Sequence, residues 1–164
     1  MRKPDKTRVR QTILAEMSNR GADAFRAYLI ASRNLAGSTF SRVDLLSEDF
    51  DSSGLFDPIT GRYSPGRTGY YALIGTLAMA AVNAEARLVC RIRKNGADTG
   101  PDLFSAHSAG VPSGRLAASG IAVVRAELAT DYFEFWAFQN GATQQLVGGG
   151  ITATWVAGHR IGDL

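Results

Sequence analysis

Residues 54–80 read GLFDPITGRYSPGRTGYYALIGTLAMA, and the fold turns on them. Asp57-Pro58-Ile59-Thr60-Gly61 puts proline where a turn needs a fixed φ and glycine where a positive φ is tolerated. A turn is expected there, followed by a short strand over Arg62, Tyr63 and Ser64 that Pro65-Gly66 stops. Gly69 through Ala80 is then a strand rich in aromatic and aliphatic residues. At period two, Tyr71, Leu73, Leu77 and Met79 point one way with Gly75 among them, and Tyr70, Ala72, Ile74 and Ala78 point the other. A strand apolar on both faces needs cover on both. In an all-β chain of this size the second cover is often another subunit.

The rest of the chain is consistent with that strand. Ala24 to Ser32 reads as a first strand, Arg33 to Thr39 as a turn-rich break, and Phe40 through Leu46 as a further short strand. Glu48 to Gly54 reads as an acidic loop, with Asp44, Glu48, Asp49 and Asp51 inside eight residues. Their spacing is not that of an EF-hand, and a solvated acidic loop is preferred over calcium binding. Glu85 to Arg93 places Ala86, Leu88, Cys90 and Ile92 on one face and Arg87, Arg91 and Arg93 on the other. Those arginines are either an anion-binding stripe or, the preferred reading, cross-strand partners for acids on a solvent-facing sheet. Asn95-Gly96 marks a tight turn.

Thr99 to Gly120 shows no periodicity and is expected to be a long loop, with Leu103, Phe104 and Val111 folding back onto the body or a neighbour. Ile121 to Leu128 and Tyr132 to Gln139 are the next pair of strands, and Thr152 to Ile161 closes the sheet. In the second of the pair, Phe135 and its face are assigned to the core and Trp136 with Phe138 to contacts with other subunits; the reverse assignment stays open. Turn signals every 8–12 residues or so argue for an all-β sandwich or jelly roll.

At 164 residues the chain is long enough for one domain that folds without disulfides, and its single cysteine, Cys90, falls in an apolar strand pattern. No run approaches the ~18 apolar residues of a membrane span, and the charged N-terminus lacks the pattern of a signal peptide. Production in the cytoplasm without membrane insertion is expected. The formal charge of +3 is concentrated: residues 1–20 hold six Lys/Arg against two acids, while the remainder is nearly neutral. Residues 1–21 are therefore read as a basic arm or short helix, with Arg2 and Lys3 in the arm and Val9, Ile13 and Met17 along one helical stripe, and residues 22–164 as the domain. The apolar stripe favours docking on an acidic protein surface over phosphate contacts, so nucleic acid is not the expected partner.

No catalytic constellation is found. Two histidines and one cysteine without zinc-ligand spacing, and no nucleophile elbow or phosphate-binding loop, argue against an enzyme, a cofactor or a metal.

Phe56-Asp57, Thr60-Gly61-Arg62-Tyr63 and Gly69-Tyr70-Tyr71 resemble the signature of the C1q-like domain of the C1q/TNF jelly-roll superfamily. In the same order, Ala24-Phe25 resembles its opening strand, Ala118-Ser119-Gly120 the exit of its long loop, Phe133 to Phe138 its penultimate strand and Trp155 to Ile161 its closing strand. Thr130-Asp131 departs from the usual Gly-Asp, and Ala157 and His159 from the usual Ser and aromatic. The resemblance implies a jelly roll that trimerises around a three-fold axis, with Tyr70, Ile74, Trp136 and Phe138 as interface candidates. Members without a signal peptide or collagen stem look like knobs of phage and phage-like particle fibres. The implied function is a virion-associated fibre or head spike that binds a host cell-surface polysaccharide, anchored to a capsid or tail protein by its N-terminus. His107, Arg115, Asn140 and Gln144 are the candidate sugar contacts. The alternative is a structural base or adaptor protein that holds another fibre subunit.

Overall fold

The computed structural model describes residues 23–80, 85–107, 114–142 and 144–164; the arm, with Arg2, Lys3, Val9, Ile13 and Met17, lies outside the described residues. Thirteen strands are described: β1 (Ala24–Tyr28), β2 (Arg33–Leu35), β3 (Thr39–Arg42), β4 (Ser47–Asp51), β5 (Phe56–Asp57), β6 (Arg62–Tyr63), β7 (Gly69–Ala80), β8 (Arg87–Lys94), β9 (Asp102–His107), β10 (Arg115–Ala126), β11 (Phe133–Gln139), β12 (Gln144–Leu146) and β13 (Trp155–Gly162). They form two antiparallel sheets, a jelly roll with no helix beyond one short 3-10 turn at Gly150–Thr152 among the described residues.

β7 is the spine of the seven-stranded sheet. β10 pairs with it along its whole length on one edge, from Ala126 opposite Gly69 to Arg115 opposite Ala80. On the other edge β13 pairs with Tyr70 to Thr76, and β12 with Met79 and Ala80. β2 continues the sheet beyond β12, and β1 and then β4 continue it beyond β13. In the six-stranded sheet β11 plays the same part, with β8 on one edge and β6 and β3 sharing the other; β5 and β9 are the outer strands.

The inward residues of both spines make the core: Tyr71, Leu73, Leu77 and Met79 from β7 meet Phe133, Phe135 and Ala137 from β11, with Phe25 stacked between Phe56 and Tyr63. Cys90 is buried there, and burial pushes its thiol up, so it is a core residue rather than a nucleophile. The expected turn forms at residues 57–61: the Asp57 carboxylate accepts from the Ile59 amide at 2.8 Å and the Thr60 hydroxyl at 2.6 Å, and Gly61 takes φ +64°.

Five expectations are corrected. The first strand is shorter than Ala24 to Ser32, and the expected break at 33–39 contains β2, which pairs with β12. Of the strand expected over Phe40 to Leu46 only β3 is in the ladder, although Val43 and Leu45 beyond it are buried. The acidic loop is β4, an edge strand: Asp49 pairs with Arg26, and Asp51 accepts from the amides of Ser53 at 3.2 Å and Phe56 at 2.7 Å. Asp49 and Asp51 serve the chain itself, and no grouping of metal-ligating side chains occurs among the described residues. Finally, the region read as a long loop contains β9 and the first half of β10. Gly120 is essential there, because a Cβ on it would lie 2.1 Å from the Leu103 carbonyl oxygen where β10 crosses β9.

Candidate functional site

The four candidate sugar contacts come from distant parts of the sequence, yet the registers bring their backbones to one end of the sandwich. Ala80, where β7 ends, is opposite Arg115 on one side and Gln145, next to Gln144, on the other. His107, the last residue of β9, is opposite Arg87, the first of β8. Leu88 is opposite Gln139, which precedes Asn140. The Leu103–Gly120 approach joins the two groups: four residues along each strand from it lie His107 and Leu116.

His107 and Arg115 are exposed. Asn140 has a further job, since its Oδ1 accepts from the Arg87 amide at 2.7 Å and its Nδ2 donates to the Glu85 carbonyl at 3.2 Å. Gln139, on the Phe135 face of its strand, shapes the same end. Fully buried, its amide donates to the carbonyls of Leu35 and Ala142 and accepts from the Gly141 amide. Arg87 was read only as part of a stripe; its Nε donates to Ser105 at 3.2 Å and its guanidinium lies 6.0 Å from the Phe138 ring.

The four interface candidates are not one patch. Tyr70 and Ile74 lie on the outer face of the seven-stranded sheet, Trp136 and Phe138 on the outer face of the six-stranded one. Ile74 is opposite Ile121, and Ala72 is opposite Val123 and His159. Tyr70 is 40% exposed, Ile121 61%, Val123 59% and Ile161 49%. Ile74 between them is half-buried and Ala72 is buried.

On the opposite face Trp136 and Phe138 are covered by their own chain. The Arg93 guanidinium is 3.8 Å from the Trp136 ring centroid and Arg91 is 4.3 Å from that of Phe40, which packs against Phe138 at 5.2 Å. Acids hold these cations in place: Arg91 bonds Asp102 at 2.6 Å and Asp98 at 3.1 Å, and Arg93 bonds Asp98. The hydrogen bond to Asp102, against the opposing effect of burial, raises Arg91 above its ordinary value. Arg62 covers Tyr132 at 4.2 Å and bonds the buried Glu134, which also accepts from the Trp136 indole. For Arg91 and Arg93 the preferred reading of the arginine stripe, as partners for acids, is the one the geometry gives, with aromatic rings added beneath; Arg87 has a serine and a ring as partners and no acid among the described residues.

Two buried carboxylates pin the ends of strands. Asp131, the half of Thr130-Asp131 that keeps the usual Asp, accepts from the amides of Glu127 and Leu128 and from the Asn95 side chain, and pairs with Lys94 at 2.9 Å. Burial alone would raise its carboxyl; the bonds from Asn95, Lys94 and the two amides outweigh burial and hold it far below the ordinary range. At the end opposite to His107, Asp23 pairs with Arg67 at 2.9 Å, accepts from the Ser53 hydroxyl at 3.3 Å, and its carbonyl takes the Arg160 amide. The chain therefore enters the body at the far end from the candidate contacts.

No family model and no curated protein matches the sequence. Solved structures do match. The Eiger TNF structure from S. frugiperda aligns at TM-score 0.67 and 10% identity, over 88% of this chain and 96% of that one. The globular domain of zebrafish complement 1qA aligns at 0.57 and 17%, over 85% and 97%. Murine APRIL at pH 5.0 aligns at 0.60 and 12%, over 84% and 99%. At such identities the likeness speaks for the fold alone, and on that ground the chain has a C1q/TNF-like jelly-roll fold.

Proposed function

We propose that this protein is the knob of a fibre or head spike on a phage or phage-like particle. In this reading three copies join through the outer face of the seven-stranded sheet, and residues 1–21 fasten the trimer to a capsid or tail protein. The end that carries His107, Arg115 and Asn140 meets a polysaccharide of the host cell. The observation that carries the proposal is the exposed row of Tyr70, Ile121 and Val123 around the half-buried Ile74, in a chain that covers the rings on its other outer face with its own arginines. A contiguous apolar patch of this kind is characteristic of an interface. The position of Asp23 adds to it: an anchor leaving from one end and contacts at the other is the layout of an attachment protein.

Three weak sites on one rigid body would hold a repetitive surface better than one, because each further contact forms at high effective concentration. The test has two arms. Light scattering on the full chain and on a form beginning at Gly21 should give a trimer for both, and the isolated trimer should adsorb to susceptible cells. Monomers in both forms would remove the homotrimer. A trimer that adsorbs only together with another particle protein would make it the structural adaptor.

A further inference from the structure

Charge is distributed unevenly over the described surface. Among the described residues there are twelve Lys and Arg, and ten of them hold a carboxylate: Arg26, Arg33, Arg42, Arg62, Arg67, Arg91, Arg93, Lys94, Arg125 and Arg160. Arg87 and Arg115 do not pair with a carboxylate among the described residues. Both stand at the same end of the sandwich, Arg87 opposite His107 and Arg115 at the first position of β10. The strand ends and turns described there carry one acid, Glu85, which makes no ion pair with another described residue. Among the described residues, a surface that elsewhere matches its cations with acids leaves two unmatched at one place.

We infer that this end binds an acidic polysaccharide, one whose repeating sugar carries a carboxylate, with Arg87 and Arg115 as the groups that hold the charge. The inference rests on the attachment reading above and names its ligand class. A guanidinium presents a planar fork that matches a carboxylate with two parallel hydrogen bonds. Arg87 is already oriented for this: Ser105 takes its Nε and the Phe138 ring lies beneath, so the terminal nitrogens are left for a ligand. The Asn140 amide, by bonding the Glu85 carbonyl and the Arg87 amide, fixes the strand end from which that side chain springs. A sugar chain is favoured over an acidic protein because protein interfaces are built on buried aromatic and aliphatic anchors. Among the described residues, none of the large exposed apolar side chains belongs to the strand ends that carry Arg87, His107, Arg115 and Asn140.

The experiment measures binding of the full-length protein to immobilised polygalacturonate, with dextran as the neutral comparison and oligothymidylate as competitor. Three forms are compared: the parent, Arg87→Gln/Arg115→Gln, and a charge-matched control, Arg42→Gln/Arg91→Gln, from the middle of the six-stranded sheet. Circular dichroism and solution mass are recorded for each, so that loss of fold is seen separately. The parent should bind polygalacturonate and not dextran, more weakly as salt rises. The Arg87/Arg115 variant should bind about tenfold or more weakly, as expected for lost charge-assisted bonds, and the control should match the parent. Equal binding to dextran, an unchanged Arg87/Arg115 variant, or oligothymidylate competing better than free polygalacturonate would each overturn the inference. A parent that adsorbs to cells but ignores polygalacturonate would overturn it while leaving host attachment standing. A parent that binds polygalacturonate but adsorbs to no cell would do the opposite.

Discussion

On the outer face of the six-stranded sheet, Trp136, Phe40 and Tyr132 lie under the guanidinium groups of Arg93, Arg91 and Arg62, which Asp98, Asp102 and Glu134 hold in turn. On the outer face of the seven-stranded sheet, Tyr70, Ile74, Ile121 and Val123 have no such cover. Both faces begin from the same problem, apolar side chains on the outward side of a spine strand, and resolve it differently. A planar cation over a ring shields apolar area while keeping its charge in water, so the first face is finished within one chain. The second has its apolar surface still to bury. Outward hydrophobicity in a strand thus leaves two outcomes open, and the identity of the neighbouring strand's outward residues decides between them: Arg91 and Arg93 on β8, but Ile121 and Val123 on β10.

The largest effect should come from breaking the uncovered face. Ile121→Asp/Val123→Asp should weaken self-association 100-fold or more, roughly 3 kcal/mol, and light scattering should show monomers that keep their β circular dichroism. An unchanged mass would mean that the uncovered face is not where copies meet. Next, Asp131→Ala should cost roughly 2–4 kcal/mol in urea unfolding, because buried donors lose their acceptor, while the mass of the assembly stays the same. Trp136→Ala should cost roughly 1–3 kcal/mol and Arg93→Ala about 1 kcal/mol, again without change of mass. A fall in mass with either would transfer the subunit contact to the arginine-covered face.

The smallest effect is in pH. The folded state holds Asp131 ionised well below its ordinary value of 3.8, so its contribution is complete above that value and is lost only as the pH falls below it. Urea midpoints of the parent should show no part of this loss between pH 7 and 5. Its share is the part that Asp131→Ala removes as the pH is lowered further.

What could be read from the sequence followed the strength of local contrast. β7 was legible to the residue because nine of its twelve positions carry apolar or aromatic side chains, in one run that begins soon after Pro65-Gly66. β4 was not, since an edge strand with one partner needs no apolar side chains and Glu48, Asp49 and Asp51 resemble a loop. The first half of β10 is Arg-Leu-Ala-Ala-Ser-Gly, whose small residues give little hydropathic alternation but allow the close crossing over Leu103. At the candidate site the residue types were visible and their geometry was not. The chain order of Arg87, His107, Arg115 and Asn140 says nothing of a shared end; the registers of β8, β9, β10 and β11 do. Trp136 was expected at a subunit contact because its cover, Arg93, lies 43 residues away in sequence. The Arg87–His107 register, for its part, could have been suggested only by recognising β9.

The clamp on Asp23 bears on how the protein would carry load. β1 starts immediately after it and runs between β13 and β4, bonded to both. A pull applied through the preceding residues, and resisted at the His107 end, acts along the axis of β1. The backbone hydrogen bonds on its two sides are then strained together, in shear, instead of opening one after another from an edge. The Arg67 and Ser53 bonds to Asp23 stand at the point where the force enters, so a tether attached there meets its stiffest resistance before the first strand begins to slide.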